Sequence, residues 1–279
     1  MQLAYEAYAL DQNSITEFVL HEQVNNRLWH VSSLTDHTDR VWSAVFAPDG
    51  ARILTAANDG TARLWDRDGQ PLATLEGHTA AVYSAVFAPD GARILTASFD
   101  NTARLWERDG QPLATLAGHT AEVWSAVFAP DGARILTASG DGTARLWERD
   151  GQPVATLEGH TDLVTSAVFA PDGARILTAS FDNTARLWNR DGQPLATLGG
   201  HTDRVTSAVF APDGTRILTA SADGTARQYF VNPEDLLAAA ACRIGRALTE
   251  EEIARYNVPQ PPQLNLAARR CAATASNSR

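Results

Sequence analysis

The dipeptide His-Thr begins at His37, His78, His119, His160 and His201, always 41 residues apart. A period of that length, kept in register five times, constrains the fold more than any other feature. Each unit has to be one small structural module that buries its apolar surface by stacking on its neighbours. Every copy continues as a variant of SAVFAPDGARILTAS, then TARLW, then RDGQPLATL. Residues 77–117 and 159–199 differ at only five of 41 positions, which points to recent internal duplication and to one shared conformation.

Within a unit, turn signals fall at short intervals. The first copy has Pro48-Asp49-Gly50, Asp59-Gly60, Asp68-Gly69 and Gly77-His78. Between them lie runs of strand length, residues 41–47, 52–57, 61–65 and 71–75, rich in β-branched and aromatic residues. Such spacing indicates an all-β architecture, and no helix-length periodic segment interrupts the repeats to form βαβ units. Adjacent apolar residues such as Ile53 and Leu54 require cover on both faces of the sheet. Four-stranded sheets stacked around an axis supply that cover, so the expected fold is a β-propeller of four-stranded blades, with five repeats of 41 residues.

The amino-acid balance removes several chemistries. All 23 basic residues are arginine, so there is no phosphate-loop lysine and no Schiff-base nucleophile. A net charge of −10 disfavours binding to a nucleic-acid backbone. No run of 18 apolar residues is present, and MQLAYEAYALDQN lacks a basic secretory n-region, so we expect a soluble, cytoplasmic protein without a membrane partner. Cys242 and Cys271 are too few for a disulfide scaffold and have no metal-ligand spacing. Neither cofactor nor metal is expected.

The Gly-His start, the Asp of the second turn and the Leu-Trp that ends the third run resemble the WD-repeat propeller family, over residues 37 to about 230. That resemblance implies a side-chain network within each blade, linking the His, a second-strand Thr, the turn Asp and the Trp. The corresponding residues are His37, Thr55, Asp59 and Trp65, then His78, Thr96, Asp100 and Trp106. Next come His119, Thr137, Asp141 and Trp147, followed by His160, Thr178, Asp182 and Trp188. The last copy has His201, Thr219 and Asp223, but Tyr229 replaces the Trp, so an indole donor is lost there.

The fifth copy runs from Tyr229-Phe230 into a helix signal and so has no fourth strand of its own. A candidate lies upstream, at about residues 28–34, where Leu28-Trp29-His30-Val31-Ser32-Ser33-Leu34 stands in the place PLATL holds elsewhere. Pairing it with the last blade would close a five-bladed ring over residues 31–231 and leave no unpaired edge. An open five-blade arc completed by self-association, a homo-oligomer, is the alternative.

Residues 1–30 form an expected N-terminal helical extension with a capping box at Ser14 and Glu17. Residues 232–258 read as a C-terminal helical hairpin, and 259–279 as a disordered tail. LAYEAYALD and AACRIGRALTEEEIARY resemble the segments that flank propellers in large bacterial multidomain signalling NTPases. This raises the reading of a sensor half whose NTPase or effector lies on another chain.

His, Thr and Asp recurring together invite a triad reading, but a catalytic site is one constellation, whereas this one occurs five times. A propeller hydrolase is therefore a remote expectation, and no catalytic residue is assigned. Attention falls instead on positions that vary while everything around them is copied. Two residues after His-Thr stand Arg40, Ala81, Glu122, Leu163 and Arg204. Just before the strand Ser stand Trp42, Tyr83, Trp124, Thr165 and Thr206, and just before the turn Asp stand Asn58, Phe99, Gly140, Phe181 and Ala222. All belong to one end of the blade. Phe99 and Phe181 are atypical turn residues that either plug a groove between blades or face a partner. The expected function is a non-enzymatic scaffold or sensor that binds a protein or peptide on this rim. The candidate contacts are Arg40, Trp42, Asn58, Tyr83, Phe99, Glu122, Trp124, Leu163, Phe181 and Arg204.

Overall fold

In the computed structural model, which describes residues 32–232, the turn signals become hairpins. The Gly50 N–H donates to the Ala47 carbonyl at 2.8 Å, and Asp49 Oδ1 accepts from the Ala51 N–H at 2.9 Å. The Pro-Asp-Gly sequence thus folds on its own local hydrogen bonds and reverses the chain after each first strand.

Nineteen strands result. Blade one holds β1 (Val41–Phe46), β2 (Arg52–Ala57), β3 (Ala62–Asp66) and β4 (Pro71–Leu75). Blade two holds β5 (Val82–Phe87), β6 (Arg93–Ser98), β7 (Ala103–Glu107) and β8 (Pro112–Leu116). Blade three holds β9 (Val123–Phe128), β10 (Arg134–Ser139), β11 (Ala144–Glu148) and β12 (Pro153–Leu157). Blade four holds β13 (Val164–Phe169), β14 (Arg175–Ser180), β15 (Ala185–Asn189) and β16 (Pro194–Leu198). Blade five holds only β17 (Val205–Phe210), β18 (Arg216–Ser221) and β19 (Ala226–Phe230). Every sheet is an antiparallel meander in sequence order, as expected of propeller blades.

The core lies between blades. Leu54, Ala56, Ala62, Leu64 and Leu75 of blade one pack on Val82, Ala85, Ile94 and Trp106 of blade two, and three equivalent clusters join the later blades in turn. Alanines at the sheet centres let the faces approach closely. Each fully buried Leu contributes roughly 1.5–3 kcal/mol relative to exposure. Arginines stitch the same junctions at the opposite end from the Gly-His loops. Arg52 donates to the Arg108 carbonyl at 2.7 Å, and the Arg108 guanidinium meets Asp49 at 2.7 Å.

The closed five-bladed ring does not form among the described residues. Val41 is 44% exposed and Phe46 is 69% exposed on the face of blade one that has no preceding blade. At the other end Leu218 is 47% exposed, whereas its counterparts Leu54, Leu95, Leu136 and Leu177 are fully buried. The physical reason lies in the packing: four core clusters join the five blades in turn, and among the described residues no fifth cluster joins blade five to blade one. Ser32 to Leu34 run alongside blade one instead of pairing with β19. Residues 28–31 of the expected closing strand, the helical extension at 1–30, the hairpin beyond 232, the tail at 259–279, Cys242 and Cys271 all lie outside the described residues.

Candidate functional site

The turn after each second strand carries an Asp whose two oxygens do different work. In blade one, Asp59 Oδ1 accepts from the Thr61 N–H at 3.0 Å and the Thr61 hydroxyl at 2.7 Å. Asp59 Oδ2 meets His37 Nδ1 at 2.8 Å and accepts from the Thr38 N–H at 3.1 Å. On the far side of the imidazole, His37 Nε2 lies 2.7 Å from Thr55 Oγ1, which also accepts from Trp65 Nε1 at 2.9 Å. An ionised carboxylate only accepts, so the tautomer that fits these contacts carries its proton on Nδ1 and accepts from the Thr55 hydroxyl at Nε2. The chain of donors runs from indole to hydroxyl to imidazole to carboxylate.

The same arrangement occurs at His78–Asp100–Thr96–Trp106, His119–Asp141–Thr137–Trp147 and His160–Asp182–Thr178–Trp188. In blade five, His201 keeps its bonds to Asp223 and Thr219 at 2.8 Å each. Tyr229 turns away and donates from its hydroxyl to the Gly199 carbonyl at 3.1 Å. Burial holds the imidazoles of His78, His119 and His160 below the usual histidine range, despite the raising effect of their Asp partners. Desolvation pushes the Asp59 carboxyl up, but bonds from Thr61, His37 and Thr38 outweigh it and bring it down to about 2. A neutral, buried imidazole that is bonded on both nitrogens has no free atom to abstract a substrate proton. These residues tie turn to strand.

Above this network sits the variable rim, and the backbone explains its variability. In β1 the pairing with β2 skips a residue between Val41 and Ser43, and the same skip recurs at Val82/Ser84, Val164/Ser166 and Val205/Ser207. Trp42, Tyr83, Thr165 and Thr206 are therefore the extra residues of β-bulges, freed from the ladder and re-aimed outward. In blade three the shift at Ala138/Ser139 leaves Trp124 in the corresponding position. The other two variable positions are joined directly. The Asn58 N–H donates to the Arg40 carbonyl at 2.8 Å, Phe99 to Ala81 at 3.0 Å, Gly140 to Glu122 at 2.9 Å, and Phe181 to Leu163 at 3.0 Å. One fixed main-chain frame thus carries the three variable positions of each blade.

In blades one to three those side chains merge. Trp42 and Tyr83 have ring centroids 5.3 Å apart, Tyr83 stacks on Phe99 at 5.6 Å, and Trp124 contacts Tyr83 at 5.2 Å and Phe99 at 4.8 Å. Phe99 therefore does lie over the groove to the next blade, while remaining half-exposed at the rim. Trp42 is 38% exposed, and the Arg40 guanidinium stands 5.0 Å above its ring. The Trp124 Nε1–H is buried with no acceptor among the described residues. Gly140 makes room there, since a Cβ on it would lie 3.0 Å from the Glu122 carboxylate and 3.5 Å from the indole nitrogen.

Leu163 and Phe181 sit apart from this cluster, with Arg204 of blade five 5.1 Å over the Phe181 ring. Asn58 bonds through its side chain to Asp39 Oδ2 at 2.6 Å. Asp39 was not among the expected contacts. A signal existed, because the residue after His-Thr also varies: Asp39, Ala80, Ala121, Asp162, Asp203. Acids occupy blades one, four and five, and alanines flank the aromatic cluster. Among the described residues no group of His, Cys, Asp and Glu is placed to hold a metal ion, and no helix is long and apolar enough to cross a membrane.

The sequence model of one family, described as WD domain, G-beta repeat, matches residues 28–66, 69–107, 110–148, 151–189 and 192–229. No curated protein matches the chain.

Proposed function

The chain belongs to the WD-repeat family, whose repeats serve broadly as protein-interaction scaffolds, and from that premise we propose that it captures a protein or peptide on its Gly-His rim without catalysing a reaction. The observation that carries this reading is the merger of Trp42, Tyr83, Phe99 and Trp124 into one aromatic surface across three blades. The four residues stand at positions where a duplicated framework would otherwise repeat itself. A partly exposed aromatic cluster with an arginine at its edge has the composition of a binding hot spot. An apolar or aromatic side chain of the partner fits over Phe99 and Trp124. The charged pairs at the two ends of the rim, Asp39 with Arg40 and Asp203 with Arg204, orient the partner and set the salt dependence of its approach.

Selection of displayed peptides against the folded chain, followed by affinity measurement on Phe99→Ala and Trp124→Ala, tests the reading. Each substitution is expected to weaken binding about thirtyfold, corresponding to about 2 kcal/mol, with an unchanged circular dichroism spectrum. Selected peptides that bind both variants as tightly as the parent would place the interaction surface elsewhere.

A further inference from the structure

The two ends of the arc carry the two halves of a junction that the molecule already makes four times. The head is the open face of blade one, where Val41, Ala44 and Phe46 are exposed. Their counterparts in blade two, Val82, Ala85 and Phe87, form part of the core against blade one. The tail is the open face of blade five, where Val209, Leu218, Ala220 and Ala226 are exposed. In blade four the equivalents Leu177, Ala179 and Ala185 are fully buried. Each bare face thus has a known mate, and that mate is the face at the opposite end of the chain.

The missing strand fits the same pattern. A Cβ on Gly110 would meet Ala73 and Leu75 of the preceding blade's last strand, and on Gly151 it would meet Ala114 and Leu116. On Gly69 it would meet Ser32 and Leu34. Residues 32–34 therefore occupy, beside blade one, the place of a last strand belonging to a preceding blade. Blade five has three strands and ends at β19, whose outer edge is unpaired among the described residues. One end holds a last strand without a blade, and the other holds a blade without a last strand.

Polar groups at the junction are divided likewise. Arg52, Arg93 and Arg134 each donate to a main-chain carbonyl of the next blade, at Arg108, Arg149 and Arg190. Arg216, their counterpart in blade five, folds back on Gln228 at 2.9 Å and lies 5.1 Å over the Phe230 ring. Asp49 and Asp90 each receive an arginine from the following blade, Arg108 and Arg149. Asp213 holds that position in blade five, and Arg67 is the equivalent arginine of blade one.

We propose that copies of this chain associate head to tail, with the open face of blade one and its 32–34 segment from one copy completing blade five of the next. Residues 32–34 run along the open edge of β19, Phe46 and Val41 cover Leu218, and Arg67 pairs with Asp213. The contact is heterologous, so every open assembly keeps one free head and one free tail, and addition continues until a ring closes.

The oligomeric state of the full chain, measured by light scattering across a concentration series, tests this with two face variants, Phe46→Asp and Leu218→Asp. Both positions are exposed in a single copy, and circular dichroism confirms that each variant is folded. The parent is expected to show masses above one chain that rise with concentration. Each variant alone is expected to be a monomer, and an equal mixture of the two to recover a dimer and nothing larger. A parent that stays monomeric throughout overturns the proposal, as does either variant that still self-associates, since a head-to-head or tail-to-tail contact would then be at work.

Discussion

At the residue scale the second-strand threonine governs each blade. Thr137 Oγ1 accepts from Trp147 Nε1 at 3.0 Å and lies 2.8 Å from His119 Nε2, so one hydroxyl satisfies two buried rings. Thr137→Val keeps the shape and leaves His119 Nε2 and Trp147 Nε1 without their partner, at about 1–3 kcal/mol for each group. Thr219→Val strands only His201, because Tyr229 bonds Gly199 instead. Urea denaturation at neutral pH is expected to show a clearly larger loss for Thr137→Val than for Thr219→Val. Equal losses would mean that the indole contributes nothing to the network. The residue types of this network and their spacing stand in the sequence five times over, and the altered fifth blade is visible there as Tyr229. What the sequence could not display is direction. The order of donors follows from the distances, and the alternative bond of Tyr229 follows from where its hydroxyl reaches.

At the element scale, hairpins decide which side chains face outward. The second turn of each blade needs a left-handed residue after its Asp. Gly60, Gly142 and Gly224 supply it at φ of 80–82°, whereas Asn101 and Asn183 adopt φ of 69° and 68°. Asn tolerates this region and alanine does not, so Asn101→Ala is expected to lower stability by about 1 kcal/mol. Asn101→Gly should change it far less. Thermal unfolding of both variants checks the pair, and equal midpoints would contradict a backbone origin. Strand positions were readable from the Pro-Asp-Gly and Asp-Gly punctuation. The bulge at Trp42, Tyr83, Thr165 and Thr206 was not, because an inserted residue leaves no mark in an apolar pattern. Its trace was indirect: a position out of register with the ladder is free to differ between copies. Asp39 escaped notice because its role depends on the Asn58 side chain reaching across the loop.

For the whole molecule, repetition of one network turns local shifts into a global pH response. His78, His119 and His160 have lowered folded pKa values, so below the ordinary histidine value of 6.5 the unfolded chain binds more protons than the folded one. Stability is therefore lost as pH falls below that value. Asp59, Asp100, Asp141 and Asp182 are also held down, and their contribution disappears below the ordinary aspartate value of 3.8, for Asp59 down to about 2. Both signs agree. Melting temperatures followed by circular dichroism are expected to fall on acidification from about pH 7 to about pH 5 and again below about pH 4. A flat profile across the first interval would show that the histidines titrate alike folded and unfolded. By itself the sequence determined the blade, because the repeat period, the turn chemistry and the two-sided apolar strands leave a four-stranded unit little other choice. It also marked the rim, since only positions outside the packing and the ladder are free to vary among copies. The merger of Trp42, Tyr83, Phe99 and Trp124 and the openness of the arc were decided by tertiary structure alone. Both depend on how the side chains between neighbouring sheets pack, and that packing brings together residues far apart in the chain.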